Sequence, residues 1–249
     1  GFGGTALDED QRLIVLIASK DAEVYEATRT AFPADGFRLV RLTDNREFLK
    51  RFYEVLPDVV VIEDRISVMN SVDLCALVRQ LVYVPLILIS RDPDHSQVVG
   101  GLERGADIYV GLGFSRGELT ARAKALLRRR TRYWGIIRDL LNTSQQTIQA
   151  GRGAGIRFSP TEFRLLCFML LSRYKTISPA QMLAHVWAGK KVHTDTVQFC
   201  LRRLGSKLER NTDWRIIGRR GSGYRLVIGP QYGVELMPCS SNKKNVPPQ

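Results

Sequence analysis

The chain has 249 residues, 44% of them hydrophobic, and a formal net charge of +12. Its longest apolar runs, at 59–62 and 86–89, are far shorter than a membrane span, and its first ten residues do not resemble a signal peptide, so we expect a cytoplasmic protein. Four scattered cysteines without a CxxC pair and three histidines without ligand spacing predict neither a disulfide framework nor a metal site.

Short apolar runs alternate with amphipathic stretches through the first half of the chain. The runs are rich in β-branched residues, which favours strands, and the stretches between them have helical spacing. This alternation predicts an α/β domain with a five-stranded parallel sheet and helices on both faces. The predicted strands are Leu13–Ala18, Phe37–Leu42, Asp58–Glu63, Pro85–Ser90 and Asp107–Val110, and the predicted helices lie near 22–32, 44–54, 71–82, 95–104 and 115–130.

Two segments in this half resemble the receiver domain of response regulators. Pro57–Glu63 is similar to the third strand of that family. The segment 105–110, followed by Phe114-Ser115 and Glu118-Leu119, is similar to its fifth strand and fifth helix. The resemblance covers residues 11–130 and implies a doubly wound, flavodoxin/CheY-like sheet.

A working receiver needs an aspartate phosphoacceptor, two further acids that hold Mg²⁺, and a hydroxyl and a lysine that contact the phosphoryl group. By the resemblance, these positions hold Glu63 for the acceptor, Ser19 and Lys20 for the acid pair, Ser90 for the hydroxyl and Leu112 for the lysine. A lysine repels a divalent cation, and a leucine offers no charge to a phosphoryl oxygen. We therefore expect an atypical receiver that holds no cofactor and is not phosphorylated on aspartate.

Glu63 has two alternative uses in this degenerate pocket. It can form an internal ion pair with Lys20, or it can reach Ser90 and imitate a phosphorylated acceptor. The ion pair is favoured because a carboxylate carries less charge and fewer oxygens than a phosphoryl group. Asp64, as a shifted acceptor, should face away because successive strand residues point to opposite sides. A small metabolite in the vacated pocket is a further alternative.

The receiver resemblance also implies a homodimer. In that family the face made by the fourth helix, the fifth strand and the fifth helix pairs two copies through alternating charges. An ordinary solvated helix face is the alternative for these charges. The corresponding positions are Asp107, Glu118, Arg122 and Arg129, with Ile108 and Val98 departing from the family pattern.

The excess positive charge lies entirely in the second half of the chain. Residues 131–249 hold 19 Lys and Arg against 6 Asp and Glu, a net charge of +13, whereas residues 1–130 have a net charge of −1. A near-neutral domain joined to a strongly basic one indicates a regulatory unit linked to a polyanion binder. A basic domain that is merely soluble is the alternative.

Start signals define three helices in the basic half, after a stretch of strands and turns predicted over 133–158. Ser159-Pro-Thr-Glu162 and Ser178-Pro-Ala-Gln181 each read as a capping box with proline at the first helical position. A third helix is predicted over Thr194–Leu208, with leucines on one face and arginines on the other. Strands at Trp214–Arg219 and Gly223–Val227 then predict a hairpin.

This half resembles the winged helix-turn-helix domain of the OmpR/PhoB family. The matching motifs are 159–163 (SPTEF), Thr196-Val197 with Arg203-Leu204 and Lys207-Leu208, and 220–226 (RGSGYRL). The resemblance implies binding to double-stranded promoter DNA, with Arg203 contacting bases and Arg220 entering the minor groove. The predicted DNA-binding residues are Gln198, Phe199, Arg202, Arg203, Lys207, Arg219 and Arg220, and Lys190 and Lys191 are candidates for contact with RNA polymerase.

Together these features predict a transcription regulator of the two-component type, associated with the nucleoid and without enzymatic activity. The predicted organisation is a flexible N-terminus over 1–10, an atypical receiver over 11–130, a winged-helix domain over 131–229 and a flexible tail over 230–249. A ligand-sensing receiver and a protein-interaction adaptor with vestigial DNA binding are the alternatives.

Overall fold

The computed structural model describes residues 12–44, 47–64, 71–81, 84–128, 132–149, 155–172, 175–187, 190–219 and 221–229. The predicted flexible ends, 1–10 and 230–249, therefore lie outside the described residues, as do Arg129 and Arg220. Within these ranges, none of the helices combines the length and the apolar character that crossing a membrane would require.

The first half of the chain folds as a parallel sheet between two layers of helices, which confirms the predicted fold class. The strand order is β2-β1-β3-β4-β5, and every neighbouring pair is parallel. Each boundary falls within a few residues of its predicted position. The elements are β1 (Leu13–Ala18), α1 (Ala22–Ala31), β2 (Phe37–Leu42), α2 (Phe48–Val55), β3 (Val59–Glu63), α3 (Ser71–Leu81), β4 (Leu86–Ser90), α4 (His95–Glu103), β5 (Ile108–Gly111) and α5 (Arg116–Arg128).

Alternation along the strands divides their side chains between two apolar layers. Val15 and Ile17 of β1 join the cluster that α1 and α5 cover, whereas Leu16 and Ala18 join the cluster that contains α2 and α3. Strand residues buried on both faces explain why the sequence shows continuous apolar runs instead of alternation with polar residues. The polar residues that end the strands are left at the carboxyl edge of the sheet.

The second half contains the predicted three helices and the hairpin. The helices are α7 (Pro160–Leu171), α8 (Pro179–Val186) and α9 (Thr194–Asn211), and the hairpin strands are β9 (Arg215–Arg219) and β10 (Gly223–Val227). Both capping boxes form: Ser159 pairs with Glu162, and Ser178 pairs with Gln181. Each capping serine accepts from the backbone of the third helical residue, whose side chain accepts from the serine N–H in return.

The segment before α7 differs from its prediction, because its first part is helical. Helix α6 (Arg132–Leu140) precedes a small antiparallel sheet of β6 (Leu141–Asn142), β7 (Thr147–Ile148) and β8 (Ile156–Arg157). Trp134 and Ile137 of α6 are buried together, three residues apart, and belong to the core that both halves share. Burial of these two side chains against the core stabilises the helical conformation of this segment.

Direct packing joins the two halves through α2 of the first and α7 and α8 of the second. Tyr53 is fully buried, and its ring meets Phe168 edge-on with centroids 6.3 Å apart. Phe168 in turn stacks on His185 at 4.6 Å. Below this contact, the buried Asp58 at the start of β3 forms an ion pair with Arg138 of α6.

Candidate nucleic-acid interface and receiver pocket

Helix α9 buries one face against the domain and presents a cationic face to solvent. Val197, Leu201, Leu204 and Leu208 are buried, as the predicted amphipathic pattern requires. The opposite face is lined by Phe199, Arg202, Arg203, Ser206, Lys207 and Arg210. Phe199 is 52% exposed although it is a large apolar residue. Its exposure fits contact with another surface better than a contribution to the core.

Glu162 organises the cations of this face from beneath. It is buried in α7, and its carboxylate accepts a hydrogen bond from Lys207 Nζ at 2.6 Å. Arg203 Nε lies 3.1 Å from its other oxygen, and the Arg203 guanidinium is 5.6 Å from the centre of the Phe199 ring. Burial by itself would raise the pKa of Glu162, but hydrogen bonds from Lys207 and Ser159 hold the pKa below its usual value. The carboxylate therefore stays ionised and orients both cations.

The hairpin of β9 and β10 has the backbone geometry of a tight wing. Gly218 has a φ of +143°, and a Cβ there would lie 2.2 Å from the carbonyl oxygen of Gly223. Tyr224 exchanges two backbone hydrogen bonds with Ile177, at 2.8 and 2.9 Å, which ties the wing to the segment before α8. Arg219 is exposed beside the tip and donates to Ser222 Oγ at 3.3 Å.

The remaining predicted residues of the basic half are also accessible. Gln198 is partly buried on α9, next to the exposed Phe199. Lys190 and Lys191 are exposed in the segment that leads from α8 to α9. The described cations of the predicted DNA-binding set thus lie on accessible surface.

In the first half, Glu63 ends β3 and is held by the loop between β1 and α1. Its Oε2 accepts from Ser19 Oγ at 2.8 Å, from the Lys20 backbone N–H at 2.9 Å and from the Asp21 backbone N–H at 3.1 Å. The contact from Lys20 to Glu63 that the structure shows thus runs through the backbone. These three donors satisfy the hydrogen-bonding capacity of that carboxylate oxygen.

Two arginines and Asp21 close this loop, and sequence reasoning did not find them. Arg91, after β4, donates to Asp21 at 2.6 Å and to Glu23 at 2.7 Å. The hydrogen bond from Arg91 is the main reason that the pKa of Asp21 lies below its usual value. Arg41 of β2 donates to the carbonyl oxygens of residues 19, 20 and 21. Parallel strand order brings these positions together, and no spacing in the sequence reveals it.

The residues of this pocket do not fit the Mg²⁺ that receiver domains use. A divalent cation needs several free oxygen ligands, but one oxygen of Glu63 is occupied by three donors, and Asp21 is bound by Arg91 and caps α1. Within the described part of the chain, no three His, Cys, Asp or Glu side chains cluster in a way that could hold a metal ion.

The other predicted pocket residues lie on neighbouring strands. Ser90 is buried at the end of β4, and Leu112 packs into the apolar cluster beneath α1 and α5. Asp64 accepts a hydrogen bond from the Tyr109 hydroxyl at 2.8 Å, whereas Glu63 is held by the loop after β1.

The described charges of the predicted dimer face, at Asp107, Glu118 and Arg122, are paired within the chain. Asp107 forms an ion pair with Arg79 of α3 and accepts from the Leu86 backbone N–H at 2.8 Å. Glu118 pairs with Arg122 one turn later on α5. On the adjacent α4, Val99 and Leu102 are exposed apolar residues.

Comparison with known proteins supports the two resemblances. The family model described as "Transcriptional regulatory protein, C terminal" matches residues 151–226. The chain is 31% identical over 231 residues to the transcriptional regulatory protein CseB of Streptomyces coelicolor, covering 85% of this chain and 97% of that protein. It is 32% identical over 205 residues to the phosphate regulon transcriptional regulatory protein PhoB of Rhizobium meliloti, covering 78% of this chain and 89% of that protein.

Among solved structures, the receiver domain of the Francisella response regulator 1452 matches 47% of this chain and 98% of its own length. The sequence identity is 27% and the TM-score 0.43. The similarity to CseB extends through both halves of the chain and almost the whole of that relative. The chain therefore belongs to the OmpR/PhoB family of response regulators.

Proposed function

We propose that this protein is a sequence-specific, double-stranded DNA-binding transcription regulator. The observation that carries the proposal is α9, which buries its leucines and exposes Phe199, Arg202 and Arg203 on one accessible face. An α-helix fits the major groove, where an arginine can donate two hydrogen bonds to a guanine. The relatives CseB and PhoB are named as transcriptional regulatory proteins, which supports the same function.

In this proposal, different residues of the basic half contact bases and phosphates. Arg203, oriented by Glu162, reads a base, and Phe199 packs on a thymine methyl group. Gln198, Arg202, Lys207 and Arg219 contact the groove or the phosphates, and Arg220 enters the minor groove from the wing. Lys190 and Lys191 contact RNA polymerase or the DNA backbone. The winged-helix domain is proposed to span 131–229, with a tail over 230–249.

We further propose that the first half, residues 11–130, is an atypical receiver that works without aspartyl phosphorylation. The hydrogen bonds to Glu63 and the ion pair of Arg91 with Asp21 support this view, since they already connect β3, β4 and α1. A homodimer through α4, β5 and α5 is part of the proposal, with the exposed Val99 and Leu102 as its apolar contact. A ligand-controlled receiver is the second candidate.

Substitution of Arg203 tests the DNA-reading proposal. The full-length protein first selects its preferred duplex from a random library, and affinity is then measured by fluorescence anisotropy. Arg203→Ala should weaken binding to that duplex by about 1–3 kcal/mol and relax preference at one base pair, because a base contact is lost.

Arg210→Ala is the matched control, because it removes the same charge from the same helix. It should weaken binding to all duplexes equally, as expected for a phosphate contact. An unchanged affinity of Arg203→Ala, or an equal loss on selected and scrambled duplexes, would contradict the reading role of Arg203.

A further inference from the structure

A cavity of about 430 Å³ lies where the two halves meet, on the amino-terminal edge of the parallel sheet. Its walls come from the starts of β1 and β2, the end of α2, helix α6 and the turn between β6 and β7. The volume falls within the range of small-molecule sites, which occur preferentially between domains. The cavity is separate from both Glu63, at the opposite edge of the sheet, and the exposed face of α9.

Among the described residues, three guanidinium groups and one carboxylate line this junction cavity. The cations are Arg12, Arg38 and Arg138, and the acid is the exposed Asp139. Asp58 neutralises Arg138 from below. Arg12 and Arg38 make no ion pair with a described residue, and Arg12 Nε is buried without a hydrogen-bond partner in the described part of the chain. A buried donor without a partner destabilises the folded chain, and a hydrogen bond to an anionic ligand would offset this cost.

Neutral hydrogen-bonding groups complete the lining. Thr143 and Ser144 supply hydroxyls, and Gln149 supplies an amide. The turn that carries the hydroxyls is held by Asn142, whose Oδ1 accepts from the Gln145 backbone N–H at 2.9 Å. Hydroxyls and amides beside arginines are the donors that bind carboxylate and phosphoryl oxygens.

We propose that the junction cavity binds a small anion carrying two or more carboxylate or phosphoryl groups. Arg12 and Arg38 of the first half and the turn at 143–144 of the second half hold the anion from opposite walls. A ligand that contacts both halves binds tightly only when they are packed together. Its binding therefore stabilises the packed, folded chain. This inference rests on the second proposed function, a ligand-controlled receiver, and it locates the ligand at the junction cavity instead of the pocket around Glu63.

Isothermal titration calorimetry of the full chain with pyrophosphate and with citrate, at low salt and without DNA, tests this proposal. We expect saturable binding of one anion per chain and a higher melting temperature. The variant Arg12→Gln/Arg38→Gln should bind at least about tenfold more weakly. Binding of pyrophosphate alone identifies a phosphoryl ligand, and binding of citrate alone identifies a carboxylate ligand.

Arg116→Gln/Lys124→Gln is the matched control, because it removes the same charge from the groove between α1 and α5. This variant should bind like the parent chain. Equal loss in both double variants, or no saturable binding to either anion, overturns the proposal. Arg38→Gln alone repeats the test if the double variant misfolds, because Arg38 is exposed.

A drop in duplex affinity of Arg12→Gln/Arg38→Gln as large as that of Arg203→Ala would also overturn the proposal, because the cavity would then belong to the DNA surface. The calorimetry involves no DNA, so its outcome does not depend on whether the chain reads a sequence.

Discussion

Glu162 connects the stability of the basic half with the orientation of its cations. The same carboxylate accepts from the Ser159 backbone N–H at the start of α7 and from Lys207 of α9. The sequence predicts the first contact from the capping box, but the second joins residues 45 positions apart. A single buried charge thus holds a helix start and two residues of the candidate interface.

Glu162→Gln should separate affinity from specificity. Glutamine keeps the capping hydrogen bond but removes the charge that orients Arg203 and Lys207. We expect binding to scrambled duplexes to strengthen, because two cations gain freedom and a negative charge disappears. Discrimination between the selected and scrambled duplexes should fall by about 1 kcal/mol. Anisotropy titrations with both duplexes measure the ratio, and an unchanged ratio would show that Glu162 has no orienting role.

Glu63 and its donors lead to a prediction about phosphorylation. Incubation of the full chain with acetyl phosphate and Mg²⁺ should leave no acid-labile phosphoryl adduct, because Ser19 already binds Oε2 of Glu63 and Arg91 already binds Asp21, which disfavours a metal ion there. Intact-mass spectrometry followed by peptide mapping detects an adduct. A phosphoryl group mapped to Glu63 or Asp64 would contradict the proposal.

At the scale of elements, α9 contains a glycine that lowers its helical stability. A Cβ added at Gly205 would have nothing within 4 Å. Gly205→Ala should therefore raise the free energy of unfolding by about 0.5–1 kcal/mol, because alanine loses less backbone entropy in a helix. Urea denaturation measures this change, and duplex affinity should stay within error of the parent chain.

The same glycine-to-alanine substitution at Gly218 of the wing should have the opposite effect on stability. Its positive φ and the carbonyl oxygen of Gly223 leave no room for a Cβ, so Gly218→Ala should destabilise the hairpin. If both variants lowered the stability equally, the account of Gly205 would be wrong.

At the level of the complete chain, α2 packs on α7, and we expect this contact to make the two halves unfold as one cooperative unit. Tyr53→Ala should lower the free energy of unfolding by about 3–5 kcal/mol and split the single thermal transition into two. The cause is the loss of the buried ring that packs on Phe168. Differential scanning calorimetry of the full chain measures both effects.

Tyr53→Phe is the matched variant for this prediction. The Tyr53 hydroxyl is buried without a hydrogen-bond partner among the described residues, so its removal should leave stability equal or slightly higher. A single transition in Tyr53→Ala at the parent temperature would show that the contact between Tyr53 and Phe168 does not couple the two halves. Burial lowers the pKa of His185, which stacks on Phe168, to about 4. Its imidazole is therefore uncharged near neutral pH.

Local sequence patterns predict most of the helices and strands and the exposure of the cations on α9. Period-two and period-3.6 patterns, capping boxes and wing glycines are local signals, because they act between residues a few positions apart. They predicted β1 and β2 to the residue, the start of α9 and the exposure of Arg202 and Arg203. The resemblance carried by the motifs supplied the family, which the comparisons confirm.

The tertiary structure brings distant residues together in contacts that no local pattern predicts. It places Glu162 beneath Arg203, and it joins Arg91 to Asp21 in the loop that holds Glu63. It also folds α6 as a helix and packs α2 on α7. It gathers Arg12, Arg38 and Arg138 around one cavity. Such pairings depend on strand order and on how the two halves pack. A local pattern carries no information about a partner dozens of residues away, because the contact contributes free energy only once the chain has folded.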